Sequence, residues 1–233
     1  MQNLMDSHDT DRLASMIVNA DTAKYSDPEK IAYNMNGISG PPPAYKIRRP
    51  NARERAIQRL VVLFQMTYVG APMIYYGDEA GMWGNNDPDD RMPMVWADLK
   101  FAPQSIDPRG KARQADDVAF DDGLFKFYKA AIELRRTHTV LRRGEFRMAG
   151  AFDEARTFAF QRRLDAENLL VVLNRSEQPQ SVRIELPAED AATFAKAKAI
   201  FTTSGEATVI GVEPAAGGVT IRLPARTGAV IAP

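Results

Sequence analysis

The sequence predicts an α/β segment followed by an all-β segment, and three observations carry the prediction. A capped amphipathic helix over residues 51–70 runs straight into the short apolar stretch Ala71–Gly77, a second helix is expected from about Asp121–Asp122 to His138, and from about Gly144 short β-rich runs alternate with turn residues. A boundary is therefore expected near residue 140, giving domains over residues 1–140 and 141–233.

In the first helix Ile57, Leu60, Val61 and Phe64 fall at i, i+3, i+4 and i+7, while Arg53, Arg55 and Arg59 occupy other positions. Pro50 precedes a plausible Asn51 N-cap, Glu54 completes a capping box, and Gly70 follows the last apolar turn. Ala71–Gly77 mixes apolar and aromatic residues without alternation, as expected of a strand buried on both faces. Helix followed by such a strand suggests part of a parallel α/β sheet. In the second helix Leu124, Tyr128, Ala131 and either Leu134 or Arg135 set the period, with Arg135 and Arg136 near the C-terminal end.

The β-rich runs are expected at residues 146–149, 157–163, 169–174, 181–186, 199–203, 219–223 and 228–231. Several have period two, as in Val182, Ile184 and Leu186 against Arg183 and Glu185, and the spacing suits an antiparallel sandwich. Residues 21–50 carry turn chemistry throughout, with a short helix expected around residues 29–35. They read equally as a linker and as a functional loop.

Composition excludes several function classes. The 233 residues hold 30 Lys+Arg, 30 Asp+Glu and no cysteine, so there is no disulfide framework, thiolate metal site or cysteine nucleophile. Zero net charge gives no global attraction to nucleic acid, and the Arg pairs at 48–49, 135–136, 142–143 and 162–163 are scattered, as on a solvated surface. No apolar run reaches the roughly 18 residues of a membrane span. Residues 1–6 lack the basic-then-apolar layout of a secretory leader. Neither a nucleic acid nor a membrane is expected as a partner.

Two polar constellations stand out. One is Asp6-Ser7-His8-Asp9-Thr10-Asp11-Arg12, after the apolar pair Leu4-Met5. The other runs from Gly77-Asp78-Glu79 through Asn85-Asn86-Asp87-Pro88-Asp89-Asp90-Arg91 to Trp96. Both follow expected strands, where parallel α/β folds place their active sites. By spacing alone a structural reading is the commoner one, because Asp-rich runs commonly make turns and caps and a His beside an Asp is more often a satisfied pair than a catalyst. The acidic clusters could also ligate a hard cation such as Ca²⁺, but the loop lacks the alternating ligands of an EF-hand, so no metal or cofactor is indicated. Trp83 and Trp96 suit a sugar-stacking face as well as a core.

Taken together, Ser7–Arg12, Leu63–Glu79 and Asp87–Trp96 resemble the end of the catalytic barrel of the alpha-amylase family of glycoside hydrolases, in its neopullulanase and cyclomaltodextrinase group. The likeness extends into Leu169–Asn174. The resemblance implies the final strands and helices of a (β/α)8 TIM barrel, incomplete here, followed by an antiparallel β-sandwich. Residues 2–6 and 73–76 would be its seventh and eighth strands. It implies a retaining hydrolase acting on α-1,4-linked glucans, with α-1,6 linkages as a further case. Asp9 would stabilise the oxocarbenium-like transition state, and His8, Asp87 and Arg91 would bind substrate. Ser7 stands where many members carry Asn.

A retaining glycosidase needs a nucleophile and a general acid. In this family both precede the His8-Asp9 block, the nucleophile within a Gly-Phe-Arg-x-Asp string. The nearest string here, Gly144-Glu145-Phe146-Arg147-Met148, lacks the Asp. A whole barrel needs about 250 residues. The chain is therefore expected to be a C-terminal fragment, inactive alone, whose natural partner is the rest of the barrel. Its exposed barrel edges would invite pairing of two chains, or packing of the N-terminal part on the sandwich. Two other readings remain open: a non-catalytic carbohydrate-binding or interaction module on the sandwich, and transglycosylation or isomerisation within the same family.

Overall fold

The computed structural model describes residues 1–20, 45–108, 110–205 and 210–233. The expected helix around residues 29–35, and the turn-rich stretch up to residue 44, lie outside the described residues. In chain order the elements are β1 (Gln2–Leu4), α1 (Leu13–Val18), α2 (Ala52–Thr67), β2 (Ala71–Met73), β3 (Gln104–Ile106), β4 (Ala112–Asp116), α3 (Asp122–Thr137), α4 (Thr139–Arg143), β5 (Glu145–Phe152), β6 (Thr157–Leu164), β7 (Glu167–Asn174), β8 (Gln180–Glu185), α5 (Ala188–Thr193), β9 (Lys198–Thr202), β10 (Gly211–Ala215), β11 (Gly218–Leu223) and β12 (Gly228–Ala232). They fall into two compact units. One comprises Met1–Asn3, Arg59–Ala71 and Lys129–Pro233, and the other Leu4–Gln58 and Pro72–Tyr128.

Helix α2 starts on the expected capping box. The Asn51 side-chain oxygen accepts from the backbone N–H groups of Arg53 and Glu54 at 2.9 and 3.0 Å, and Glu54 accepts in return from the Asn51 N–H at 2.7 Å. The apolar stripe is broader than the period predicts: Leu60, Val62, Leu63 and Met66 are the most buried apolar positions, while Ile57, Val61 and Phe64 are partly exposed. Gly70 ends this segment at φ +98°, and a Cβ there would stand 3.0 Å from the Met1 carbonyl oxygen.

The strand expected over Ala71–Gly77 is shorter and more exposed than its composition suggests. Strand β2 stops at Met73, and Ala71 and Met73 are exposed. Among the described residues it pairs with β1 and with no other strand, and Tyr75 and Tyr76 lie beyond its end. The two barrel strands expected at residues 2–6 and 73–76 are thus β1 and β2, the first cut short and the second displaced toward the helix.

Two antiparallel sheets build the β-rich part. One has five strands in the order β5-β6-β7-β12-β9, and the other three in the order β10-β11-β8. Successive residues of β6, β7 and β12 point to opposite faces of the larger sheet. Ala159, Leu170, Val172, Ala229 and Ile231 meet Val182, Ile184, Val219 and Ile221 of the smaller sheet in one core. Phe160, Leu169, Val171 and Val230 pack on the other face against Leu63, Leu134, Val140 and Leu141. Burial on both faces explains why β7 reads as a continuous apolar run, whereas β8, covered on one face, alternates.

Two arginines of the expected solvated pairs are buried. Arg135 donates to the carbonyls of Met66, Tyr68 and Gly70 at 2.8, 3.2 and 2.6 Å, and Arg162 to those of Thr67 and Gly144 at 2.6 and 2.8 Å. The carbonyls left open at the C-terminal end of α2 offer partial negative charge, which is why guanidinium groups without a carboxylate partner are tolerated there. Burial, reinforced by the like charge of Arg135, lowers Arg162 to about 10, and it stays protonated at neutral pH.

Candidate functional site

The four residues singled out in the sequence come together in the unit formed by residues 4–58 and 72–128. The Arg91 guanidinium is the hub. Its Nη2 lies 2.9 Å from Asp87 Oδ2 and 3.4 Å from Asp9 Oδ1, and its Nε donates to the His8 carbonyl at 3.1 Å. His8 Nε2 stands 3.3 Å from Asp9 Oδ2. The side chains are open to solvent, from 43% for Asp87 to 68% for Asp9, so each keeps polar atoms free for a ligand. Such exposed pairs contribute little to stability. Carboxylates that accept hydroxyl hydrogens, beside a guanidinium and an imidazole that donate, form a set suited to a polyhydroxylated ligand.

Local chemistry places these groups. Ser7 and Thr10 form a closed turn: Thr10 Oγ1 accepts from the Ser7 N–H at 3.0 Å, and Ser7 Oγ accepts from the Asp9 N–H at 3.2 Å, presenting His8 and Asp9 outward. Arg91 ends the 3-10 turn Asp89–Arg91. That turn sits on Gly84, where a Cβ would lie 2.6 Å from the Asp89 carbonyl oxygen. Gly84 in turn donates its N–H to Ser15 Oγ at 3.0 Å and accepts from the Arg12 N–H at 3.1 Å. The two constellations are thereby tied together through one residue that cannot carry a side chain.

Beneath the exposed cluster lies a buried ionisable layer to which the sequence reading gave no role. Arg12 is fully buried, donates to the Tyr76 carbonyl at 2.6 Å, lies 3.3 Å from Asp78 and stacks over the Tyr75 and Tyr76 rings at 4.5 and 4.8 Å. Asp6 accepts from the Leu13 N–H at 2.7 Å. Burial, then the charge of Asp6 and a hydrogen bond to it, hold Asp78 well above the usual carboxylate range against the pull of Arg12. Asp90, also buried, is pushed up to about 6 by burial against the opposing pull of Arg12 and Arg91. Among the described residues no side chain donates a hydrogen bond to its two oxygens. The sequence signal for this layer is three carboxyl-bearing residues and an arginine next to apolar neighbours, which is costly unless they answer one another.

The tryptophans divide. Trp83 is buried, with Nε1 donating to Gln104 Oε1 at 3.0 Å, while Trp96 is 56% exposed. Among the described residues no group of three or more His, Asp or Glu is arranged to hold a metal ion, and no helix is long and apolar enough to cross a membrane.

Residues 44–144 match the family model described as alpha amylase, catalytic domain. The chain is 39% identical over 136 residues to Neopullulanase 2 of Thermoactinomyces vulgaris, covering 58% of this chain and 20% of that protein. It is 33% identical over 183 residues to a cyclomaltodextrinase of Bacillus sp, covering 78% and 23%. A solved cyclomaltodextrinase structure superposes with TM-score 0.60 at 26% identity, over 99% of this chain and 29% of that one. The chain thus spans less than a third of the length of these relatives.

Proposed function

We propose that the chain, whose residues 44–144 match the alpha-amylase catalytic-domain model and which is similar to neopullulanase and cyclomaltodextrinase relatives, forms the sugar-binding side of a retaining glycoside hydrolase acting on α-1,4-linked glucans, with α-1,6 linkages as a further substrate. In this reading Asp9 accepts hydroxyl hydrogens of the sugar at the cleavage point and stabilises the positive charge of the oxocarbenium-like transition state. His8 binds that same sugar, and Asp87 and Arg91 hold the next one. The single observation supporting it most directly is the Arg91 guanidinium spanning Asp87 and Asp9.

The 233 residues contain no Gly-Phe-Arg-x-Asp string to supply a nucleophile. The chain is therefore expected to bind maltooligosaccharides but to release no reducing sugar from cyclodextrin or pullulan, and turnover by the isolated chain would refute this assignment. Exposed strand edges favour pairing of two chains through residues 1–100. Sedimentation showing a monodisperse monomer would count against pairing. A sandwich-borne binding module is the second reading, supported by a small cleft of mixed character lined by Glu145, Arg147, Gln161, Arg163 and Asp190 together with Phe146 and Pro187. Calorimetry separates the two: binding lost in Arg91→Ala favours the first, and binding lost in Arg147→Ala the second.

A further inference from the structure

Next to the Arg91 cluster lies a cavity of about 210 Å³ whose chemistry is opposite to that of the cluster. Its wall is formed chiefly by Met82, Trp83, Met92, Val95, Phe101 and Val118. Gln104 also lines it, but its Oε1 is already taken by Trp83 Nε1 and Arg113 Nη2, both at 3.0 Å. That oxygen is thus held by the wall itself rather than offered to a guest. A dry cavity of about 150 Å³ already accepts a benzene-sized molecule, so this volume suits an aryl ring or a short alkyl chain. Two methionines on the wall give it adaptable, polarisable sides. Met92 is 42% exposed at the mouth, one peptide bond from Arg91, and its carbonyl is fixed by the Tyr76 hydroxyl at 2.7 Å.

We propose that this cavity takes the apolar part, alkyl or aryl, of an amphiphilic glucoside whose sugar lies on Asp9, Asp87 and Arg91. The sugar half of the assignment rests on the function proposed above, whereas the apolar half rests on the cavity alone. A site of this kind combines apolar walls, which supply affinity, with a few polar groups at one end that fix orientation.

Calorimetry on the full chain with maltose, hexyl α-maltoside below its micelle concentration, and 1-hexanol tests the assignment. Hexyl maltoside is expected to bind at least tenfold more tightly than maltose. Val118→Trp, which fills the cavity, and Met92→Gln, which makes its exposed mouth polar, should each erase that gain and leave maltose affinity unchanged. Equal affinity of maltose and hexyl maltoside in the unsubstituted chain would overturn the proposal, as would a gain that survives both substitutions. Hexanol binding that Val118→Trp abolishes, in a chain that binds no maltose, would overturn the glucoside assignment through its sugar half and the proposed function with it. Maltose binding with no gain from the hexyl group would overturn the cavity half alone.

Discussion

Arg135 and Arg162 donate to the same carbonyl oxygen, that of Leu141, at 2.8 and 2.9 Å. Two cations therefore converge on one acceptor between α3 and β6, with the last carbonyls of α2 as their other partners. Like charges are held together here because backbone oxygens, fixed in place by the fold, answer both. Arg162→Met should strand the Thr67 and Gly144 carbonyls and cost about 3 kcal/mol or more in chemical denaturation. Arg162→Lys keeps the charge without the fork and should recover only part of the loss.

The capping box makes a smaller, separable contribution. Asn51→Ala removes the acceptor for two backbone N–H groups and should lower stability by about 1 kcal/mol, read as a shift of the denaturation midpoint with unchanged slope.

Asp90 sets a pH dependence with a definite sign. Its ordinary value is 3.8 and its folded value about 6, so the folded state holds the proton more tightly. The corresponding stability is fully present below pH 3.8 and is lost as pH rises through about 6. Across that window the chain should lose on the order of 2–3 kcal/mol to this group. Asp90→Asn does not titrate and should flatten the profile. An unaltered profile in Asp90→Asn would show that another group, with Asp78 first in line, sets it.

Arg91→Ala separates binding from folding. Its ion pairs are exposed, so unfolding stability should change by less than about 0.5 kcal/mol. Maltooligosaccharide affinity, measured by calorimetry, should fall by about ten- to a hundredfold, as expected when a charge-assisted partner is removed.

Gly84→Ala tests the link between the two constellations. The added Cβ would stand 2.6 Å from the Asp89 carbonyl and 3.0 Å from the Asp90 Cα, so the 3-10 turn must shift. Oligosaccharide affinity should drop as in Arg91→Ala, here with a stability loss of about 1–3 kcal/mol from overpacking.

Elements whose local chemistry is self-sufficient were legible in the sequence. Asn51 and Glu54 name the start of α2 because both halves of the capping box lie within four residues, and the alternation of Val182, Ile184 and Leu186 names β8 because one face alone is covered. His8, Asp9, Asp87 and Arg91 were legible as a group through motif resemblance, and they do meet in space. What escaped depends on distant partners. Arg135 and Arg162 look like surface residues until the carbonyls of residues 66–70 and 144 are placed around them. Ile74–Gly77 looks like strand until it is known that, among the described residues, β2 pairs with β1 and ends at Met73. Gly211–Ala215, with Glu213 and Pro214, lacks any strand-like composition and becomes β10 through its register with β11. The buried Arg12, Asp78 and Asp90 layer has no periodic signature, since its members are matched through space rather than along the chain.

The two-faced burial of the five-stranded sheet has a cost when the chain is open. Residues 169–173, Leu-Leu-Val-Val-Leu, carry no charge and no proline, because a strand covered on both sides has no solvent position for either. Such a run is a ready template for intermolecular cross-β stacking whenever it is exposed. The charged residues Glu167 and Arg175 flank it as gatekeepers only at its ends. Heating through the transition should therefore yield insoluble material rather than refolded chain, and recovery of the native signal on cooling should improve in Val171→Thr despite its lower midpoint.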